Sequence, residues 1–301
     1  MVRGWRKMIN SFENYHPLVN FYYFSFVIVC SMFFMHPIFL IISLTSAFIY
    51  SVVLKGRRAL KFNILYMLPL MLITALINPA FNHEGVTILF YLKGGNPITL
   101  ESIVYGIVAA TMFISVIVWF SCYNEIMTSD KFIYLWGRII PSLSLIFSMV
   151  LRFVPKYKAQ IKVISNAQKA IGRDVTKGNI IRRARNGIKI LSIMVTWALE
   201  NAIETADSMK ARGYGLKGRT SFSNFKFSKR DKIVLFLMIV LSLIVIIGVL
   251  MKVNRIRYFP RIKIARNTIF TIIVDISYFL FCIMPIILTV IDEIRWKRIN
   301  K

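Results

Sequence analysis

Residues 21–53 read FYYFSFVIVCSMFFMHPIFLIISLTSAFIYSVV, an apolar run without one Asp, Glu, Lys or Arg. A helix crosses a bilayer with roughly 20 residues, so one upright span does not account for this stretch. His36-Pro37 divides it, because proline lacks an amide donor and disfavours helix at the residue before it. The reading is two helices, about 19–35 and about 37–54. The turn that follows, Lys55-Gly56-Arg57-Arg58-Ala59-Leu60-Lys61, carries four positive charges. Cationic loops are retained in the cytoplasm, so this turn and the N-terminus are both expected inside.

Working outward, Phe62–Phe81, Ile103–Phe120, Ile233–Met251 and Thr268–Ile291 are further runs nearly free of charge. The third helix, about 62–80, runs outward and stops at Asn78-Pro79, before a polar outer loop from Asn82 to Pro97. The fourth, about 100–122, returns to the cytoplasm, and two more spans, about 233–251 and 268–291, finish the chain. The fold class is therefore all-α, a polytopic membrane helical bundle with a cytoplasmic module of long amphipathic helices. The expected parts are a four-span bundle at 1–122, a cytoplasmic module at 123–232 and two C-terminal spans at 233–301. One feature resists this topology. The connection carrying Lys252, Arg255, Arg257, Arg261, Lys263 and Arg266 falls outside the membrane, against the usual charge bias.

Composition agrees with a second solvent: the 301 residues are 57% hydrophobic and only 17% charged, against about a quarter charged in soluble domains. The net charge is +26, which cytoplasmic loops beside anionic lipid headgroups explain without nucleic acid. Cys30, Cys122 and Cys282 are scattered in or beside apolar runs and imply neither a disulfide framework nor a metal site. Arg3, Arg6 and Lys7 precede an apolar run too long for a signal-peptide core, so the first span is expected to be retained.

Catalytic signatures are weak. Gly213-Tyr-Gly-Leu-Lys-Gly218-Arg219-Thr220 nearly spells a phosphate-binding loop, but Arg219 stands where lysine is needed and the stretch follows a helix rather than a strand. Ile272-Ile-Val-Asp275 mimics the acid-ended run that accompanies such loops, yet lies inside a span. His16, His36 and His83 lack ligand partners at metal spacing, and no cofactor site is legible. Glu200, Glu204 and Asp207 share a helix face, which reads as a solvated stripe. Asp275 lies inside a span and is expected to hydrogen-bond a neighbour or reach toward the basic loop, with an ion site as the alternative.

The cytoplasmic segment holds the sharper pattern. Ile139–Val154, between Pro141 and Pro155 and interrupted by Arg152, reads as a helix along the membrane interface, with a short span as the alternative. A helix at about 156–171 places Tyr157, Ile161, Ile164, Gln168 and Ile171 on one face, with Lys158, Lys162 and Lys169 elsewhere. It ends in Ala170-Ile171-Gly172-Arg173-Asp174, then Lys177-Gly178. A helix at about 188–211 places Leu191, Val195, Ala198, Ala202, Ala206 and Met209 at helical spacing. It ends in Ala211-Arg212-Gly213-Tyr214, then Lys217-Gly218. Glycine past a helix allows a left-handed cap, and arginine there complements the negative helix end. An exposed guanidinium at such a tip can form a forked pair with a partner's carboxylate.

Leu151-Arg152-Phe153-Val154-Pro155, Ala167-Gln168-Lys169-Ala170-Ile171-Gly172 and Ala206-Asp207-Ser208-Met209-Lys210-Ala211-Arg212-Gly213-Tyr214 resemble the T component of energy-coupling factor transporters, the CbiQ-type scaffold. Asn78-Pro79-Ala80-Phe81-Asn82-His83-Glu84-Gly85 is similar to that family's outer turn. The likeness runs through Gly218, and the last span is an extra. It implies a prokaryotic cell membrane protein that is not an enzyme, whose two coupling helices cross in an X. Each helix would seat an Ala-Arg-Gly-like tip on one of two ABC-type ATPase subunits. A separate membrane substrate-binding component would carry a vitamin or transition-metal ion. By this resemblance Ala211, Arg212 and Gly213 form the second docking tip, and Ala170, Ile171, Gly172 and Arg173 form the first. Ile171 stands where the family has arginine, so either Arg173 substitutes or that contact is apolar. Rival readings are a self-sufficient secondary transporter or channel using Asp275, and a membrane-embedded enzyme.

Overall fold

The computed structural model describes residues 11–91, 97–137, 139–216, 225–251, 253–264 and 268–299. Arg3, Arg6, Lys7, Lys217, Gly218, Arg219, Thr220, Lys252 and Arg266 lie outside the described residues. The chain divides into two compact units, residues 1–132 with 225–301, and residues 133–224.

In the first unit, α1 (Pro17–Phe33) and α2 (Pro37–Lys55) each start with proline at the first helical position, where its missing donor costs nothing. His16 caps α1 by accepting the Leu18 N–H at Nδ1 (3.2 Å). Helix then runs from Arg57 through Phe81, as α3 (Arg57–Phe62), a π-turn at Asn63–Met67 and α4 (Leu68–Phe81). The third helix thus begins earlier than the predicted 62, because Gly56 alone, at φ +60°, ends α2 and starts α3. The π-turn immediately precedes Pro69, whose ring would press on the carbonyl four residues back, and widening the helix there relieves that contact.

The outer loop is not featureless. β1 (Ile88–Tyr91) and β2 (Pro97–Thr99) pair antiparallel and lead into α5 (Leu100–Ile126), N-capped by Thr99. After α6 (Ser129–Gly137), the second unit contributes α7 (Pro141–Ala170) and α8 (Ile180–Ala211). The chain returns through α9 (Lys229–Leu250), a small pair β3 (Ile256–Arg257) and β4 (Lys263–Ile264), and α10 (Ile269–Ile299). Among the described residues, five helical stretches are long and apolar enough to cross a membrane, and α1 is a shorter apolar helix. This is an all-α polytopic bundle and a multi-pass cell membrane protein.

The core of the first unit is aromatic. Tyr23, Phe24, Tyr50, Trp119, Tyr278 and Phe281 are fully buried, and Tyr23 stacks on Phe281 while meeting Trp119 edge-on. Several polar atoms there find partners, as a bilayer favours, although the Tyr50 hydroxyl has none among the described residues. Tyr23 donates to the Cys282 carbonyl (2.7 Å), and Trp119 Nε1 donates to Ser43 Oγ (2.9 Å), itself bonded to Ser31. Two glycines set helix spacing. A Cβ at Gly106 would lie 2.5 Å from the Ala75 carbonyl, the group that Pro79 leaves without its helical donor. A Cβ at Gly248 would lie 2.5 Å from Val274 Cγ2.

Contacts sort the segment ends of this unit into two groups. At one end, the His16 N–H donates to Asp231, Arg230 meets Asp292 (3.7 Å), Lys131 donates to the carbonyls of Glu13 and Ile126, and Lys55 donates to Ser121. At the other, Tyr258 donates to the Met35 carbonyl (2.6 Å) and packs edge-on to Tyr105, while Asn254 donates to Asp275 (3.0 Å). Asp275 therefore makes the structural hydrogen bond expected of it, reaching the basic connection.

Candidate functional site

The second unit corrects two helix boundaries. α7 runs unbroken through Pro155, so the interfacial helix and the first coupling helix are one element. Pro155 is exposed, and the Leu151 carbonyl it deprives of a donor stays accessible to solvent instead of trapped in packing. α8 begins at Ile180 rather than near 188. Asn179 caps it by accepting the Ile180 N–H (2.7 Å), and helix continues through Gly187 despite glycine's cost of about 1 kcal/mol. Gly187 faces the loop, 3.9 Å from Val175 Cγ1 by the place of a Cβ.

The two helices pack antiparallel through a short patch. Ile164, Ile190 and Met194 are buried together, with Tyr157, Val175 and Trp197 against them. Lys156 donates to Asn201 (2.6 Å) and lies 5.2 Å from the Trp197 ring centroid, and Tyr157 meets Trp197 edge-on. The face of α8 that packs is therefore Ile190, Met194, Trp197 and Asn201. Of the stripe anticipated on α8, Leu191 and Val195 are exposed, as are Leu199 and Ile203 next to it. Both stripes occur at helical spacing, and only the tertiary partner distinguishes them.

Both helices end alike. At the first tip the Arg173 N–H donates to the Gln168 carbonyl (2.9 Å) and the Gly172 N–H to Lys169 (3.0 Å). At the second the Tyr214 N–H donates to Met209 (3.0 Å) and the Gly213 N–H to Lys210 (2.9 Å). Each is a Schellman cap, and both glycines sit at φ +78°. The match aligns Ala170-Ile171-Gly172-Arg173 with Ala211-Arg212-Gly213-Tyr214. Ile171 and Arg212 hold the same capping position, at φ −93° and −83°. Arg173 occupies the position of Tyr214, two residues later. Ile171 is 63% exposed, and Arg173 and Arg212 are exposed. Neither guanidinium has an ion pair or hydrogen bond among the described residues.

The loop between the helices is built, not slack. Asp174 Oδ1 accepts from the Thr176 N–H and hydroxyl (2.8 Å each), which holds its carboxyl below the ordinary carboxylate range despite the opposing effect of desolvation. Asn186 donates to the Asp174 carbonyl (3.1 Å) and Arg183 Nε to the Val175 carbonyl (2.9 Å). These contacts pin the first tip near Asn186. From there α8 rises for about 38 Å to Ala211, so the two tips stand far apart on one unit. Asp174, Thr176, Arg183 and Asn186 were not singled out from sequence, although Asp-x-Thr is a turn signal that could have flagged the first two. Glu200, Glu204 and Asp207 are exposed on α8, and Gly213 follows a helix, unlike the opening of a phosphate loop.

Several apolar spans and a unit bearing two capped helix tips define a polytopic membrane protein with a distinct helical unit. Residues 10–222, well over half of the chain, match CbiQ, the cobalt transport protein family, and the chain belongs to that family. The match ends before α9, so the last two helices lie beyond it. The chain is similar to energy-coupling factor transporter transmembrane protein EcfT of Lactococcus lactis subsp. cremoris, 32% identical over 109 residues, 36% of this chain and 41% of that protein. It is 36% identical over 110 residues to EcfT of Brevibacillus brevis, 36% of this chain and 42% of that protein. It is 38% identical over 103 residues to EcfT of Streptococcus thermophilus, 34% of this chain and 39% of that protein. Each alignment spans about two fifths of the curated relative's length.

Proposed function

We propose that the chain is the transmembrane coupling subunit of an energy-coupling factor transporter, a scaffold without catalysis of its own. Two ABC-type ATPase subunits dock on the tips, one at Ala211-Arg212-Gly213 and one at Ala170-Ile171-Gly172-Arg173. Nucleotide-driven movement of the ATPases displaces the tips, and α7 and α8 carry that displacement along their length. A separate membrane substrate-binding component then reorients with its cargo, a vitamin or metal ion. On this reading the second unit is the coupling module and the remaining helices form the membrane scaffold. The single observation that carries the reading is the pair of caps with the same hydrogen-bond pattern, each presenting an exposed side chain at the same position, about 38 Å apart along α8. That separation suits two seats on two bodies better than one groove.

A helix end alone would be adequately explained by local capping. Two ends with the same cap, each with an exposed side chain at the capping position, suit a rigid lever, because a Schellman cap fixes the direction of the residue at its tip. Co-purification with candidate ATPases tests the reading. Arg212→Glu is expected to release at least one ATPase while the membrane helices remain folded. Retention of both ATPases, with transport undiminished, would remove Arg212 from the mechanism.

A further inference from the structure

A cavity of about 310 Å³ opens at the end of the first unit where α1 meets α2 and α9 meets the β3–β4 connection. Phe33, Phe34 and Val249 supply apolar walls, and His36, Asn254 and Arg255 supply polar ones. His36 is buried, 5% exposed, and its Nδ1 has no hydrogen-bond partner; the same holds for Asn254 Oδ1. The other end of that amide is fixed, since Asn254 Nδ2 donates to Asp275 (3.0 Å). Orphaned buried polar atoms are rare and point to a ligand or water that completes them. Arg255 is exposed at the rim and engages no described residue.

These groups have a specific demand. Asn254 Oδ1 can only accept, and His36 Nδ1 can accept in one tautomer, so the deep part of the cavity asks for a donor. The rim asks for an anion, which a guanidinium binds in a fork. Phe33, 75% exposed, extends the apolar wall out to where lipid tails run. A metal cation fits poorly, because Arg255 repels it and the nearby carboxylate of Asp275 is engaged by Asn254. We propose that the cavity seats the headgroup of a phospholipid bearing a hydrogen-bond donor beyond its phosphate, as phosphatidylethanolamine and phosphatidylglycerol do and phosphatidylcholine does not. The phosphate lies at Arg255, the amine or hydroxyl reaches Asn254 Oδ1 and His36 Nδ1, and an acyl chain follows Phe33 and Val249. Arg257, Arg261 and Lys263 add a diffuse positive field that favours anionic members of the class. The proposal rests on the membrane reading of the helices and is independent of ATPase docking.

Native mass spectrometry of the full-length protein in detergent, titrated with each lipid, provides the test. Phosphatidylethanolamine, which matches phosphatidylcholine in net charge, is expected to bind roughly tenfold more tightly than it, the worth of one satisfied charge-assisted hydrogen bond. Arg255→Gln is expected to weaken phosphatidylethanolamine by a similar factor, while Arg261→Gln, on the same connection but outside the cavity, leaves it unchanged. Soluble glycerophosphoethanolamine is expected not to compete. Equal binding of the two lipids, equal loss in both variants, competition by the soluble headgroup at lipid concentrations, or no lipid retained at all would each overturn the proposal. If Arg255→Gln fails to fold, the two-lipid comparison on the unaltered protein still decides.

Discussion

The capping position is occupied by Ile171 at one tip and Arg212 at the other, and this difference sets a measurable asymmetry. Fully burying an isoleucine side chain contributes about 1.5–3 kcal/mol. Ile171 is 63% exposed, so covering what remains open yields about 1–2 kcal/mol, a factor of roughly 5–30 in affinity. A guanidinium that forms a desolvated pair with a carboxylate loses more on truncation, about 2–5 kcal/mol. The perturbations are Ile171→Ala, Arg173→Ala and Arg212→Ala, measured by biolayer interferometry of nanodisc-embedded protein against each purified ATPase, at low and high salt. Arg212→Ala is expected to weaken one ATPase strongly and to abolish most of its salt dependence. Ile171→Ala is expected to weaken the other moderately, with little change in salt dependence. Arg173→Ala is expected to have the smallest effect, because Arg173 stands two residues past the capping position that Arg212 holds at the other tip. A strong, salt-sensitive loss in Arg173→Ala with none in Ile171→Ala would refute the apolar first contact and assign that tip's charge pairing to Arg173.

Gly106→Ala and Gly248→Ala each force a methyl into a 2.5 Å approach, against a backbone carbonyl and a packed valine respectively. Each is expected to cost about 1–3 kcal/mol, read as a lowered midpoint of detergent-solubilised thermal unfolding, whereas Gly172→Ala, which meets no neighbour within 4 Å, strains only the backbone of its cap. Asp174 has its folded pKa below the ordinary 3.8, so its contribution is complete above that value and fades as pH falls through the lower folded value. Hydrogen exchange of the Thr176 amide is expected to accelerate on acidification and to become pH-insensitive, beyond intrinsic chemistry, in Asp174→Asn. Cys30, Cys122 and Cys282 are buried, which gives a quiet background for labelling. Arg261→Cys is expected to react with an impermeant maleimide in intact cells, and Arg58→Cys only after permeabilisation.

The spans were legible because their signal is redundant: long uncharged runs, punctuated by Pro37, Gly56 and Pro79, leave few alternatives once a bilayer is the solvent. The tips were legible because glycine past a helix has one dominant use. Pro155 misled because a single proline is weak evidence against two strongly helical flanks, and its solvent-facing position was invisible in the string. The start of α8 misled in the opposite way, since Arg182, Arg183, Arg185 and Gly187 read as a loop until the capping by Asn179 and the contacts of Arg183 and Asn186 are seen. The cavity at His36 depends on residues brought together from distant segments. The choice of packed face on α8 could not be read at all. Ile190, Met194 and Trp197 compete with Leu191, Val195 and Ala198 at the same spacing, and the winner depends on where Tyr157 and Ile164 stand.

The basic connection between α9 and α10 carries charge that the usual bias keeps in the cytoplasm, and the packing of the first unit fixes which end of the bundle it occupies. Met35 meets Tyr258, and Asn254 meets Asp275, so this connection shares an end with the α1–α2 turn. The cationic turn at Lys55–Lys61 lies at the other end, beside Ser121, where Asp231 receives the His16 N–H and Asp292 receives Arg230. Reversing the last two helices together would break two contacts that tie them to the first helices, Tyr258 with the Met35 carbonyl and the His16 N–H with Asp231. The arginines thus lie at the end opposite the cationic Lys55–Lys61 turn, and where early helices set the orientation that end is the outer one. That placement also explains why the connection is structured. Tyr258 on the Met35 carbonyl, Asn254 on Asp275 and the β3–β4 pairing hold it over the end of the bundle.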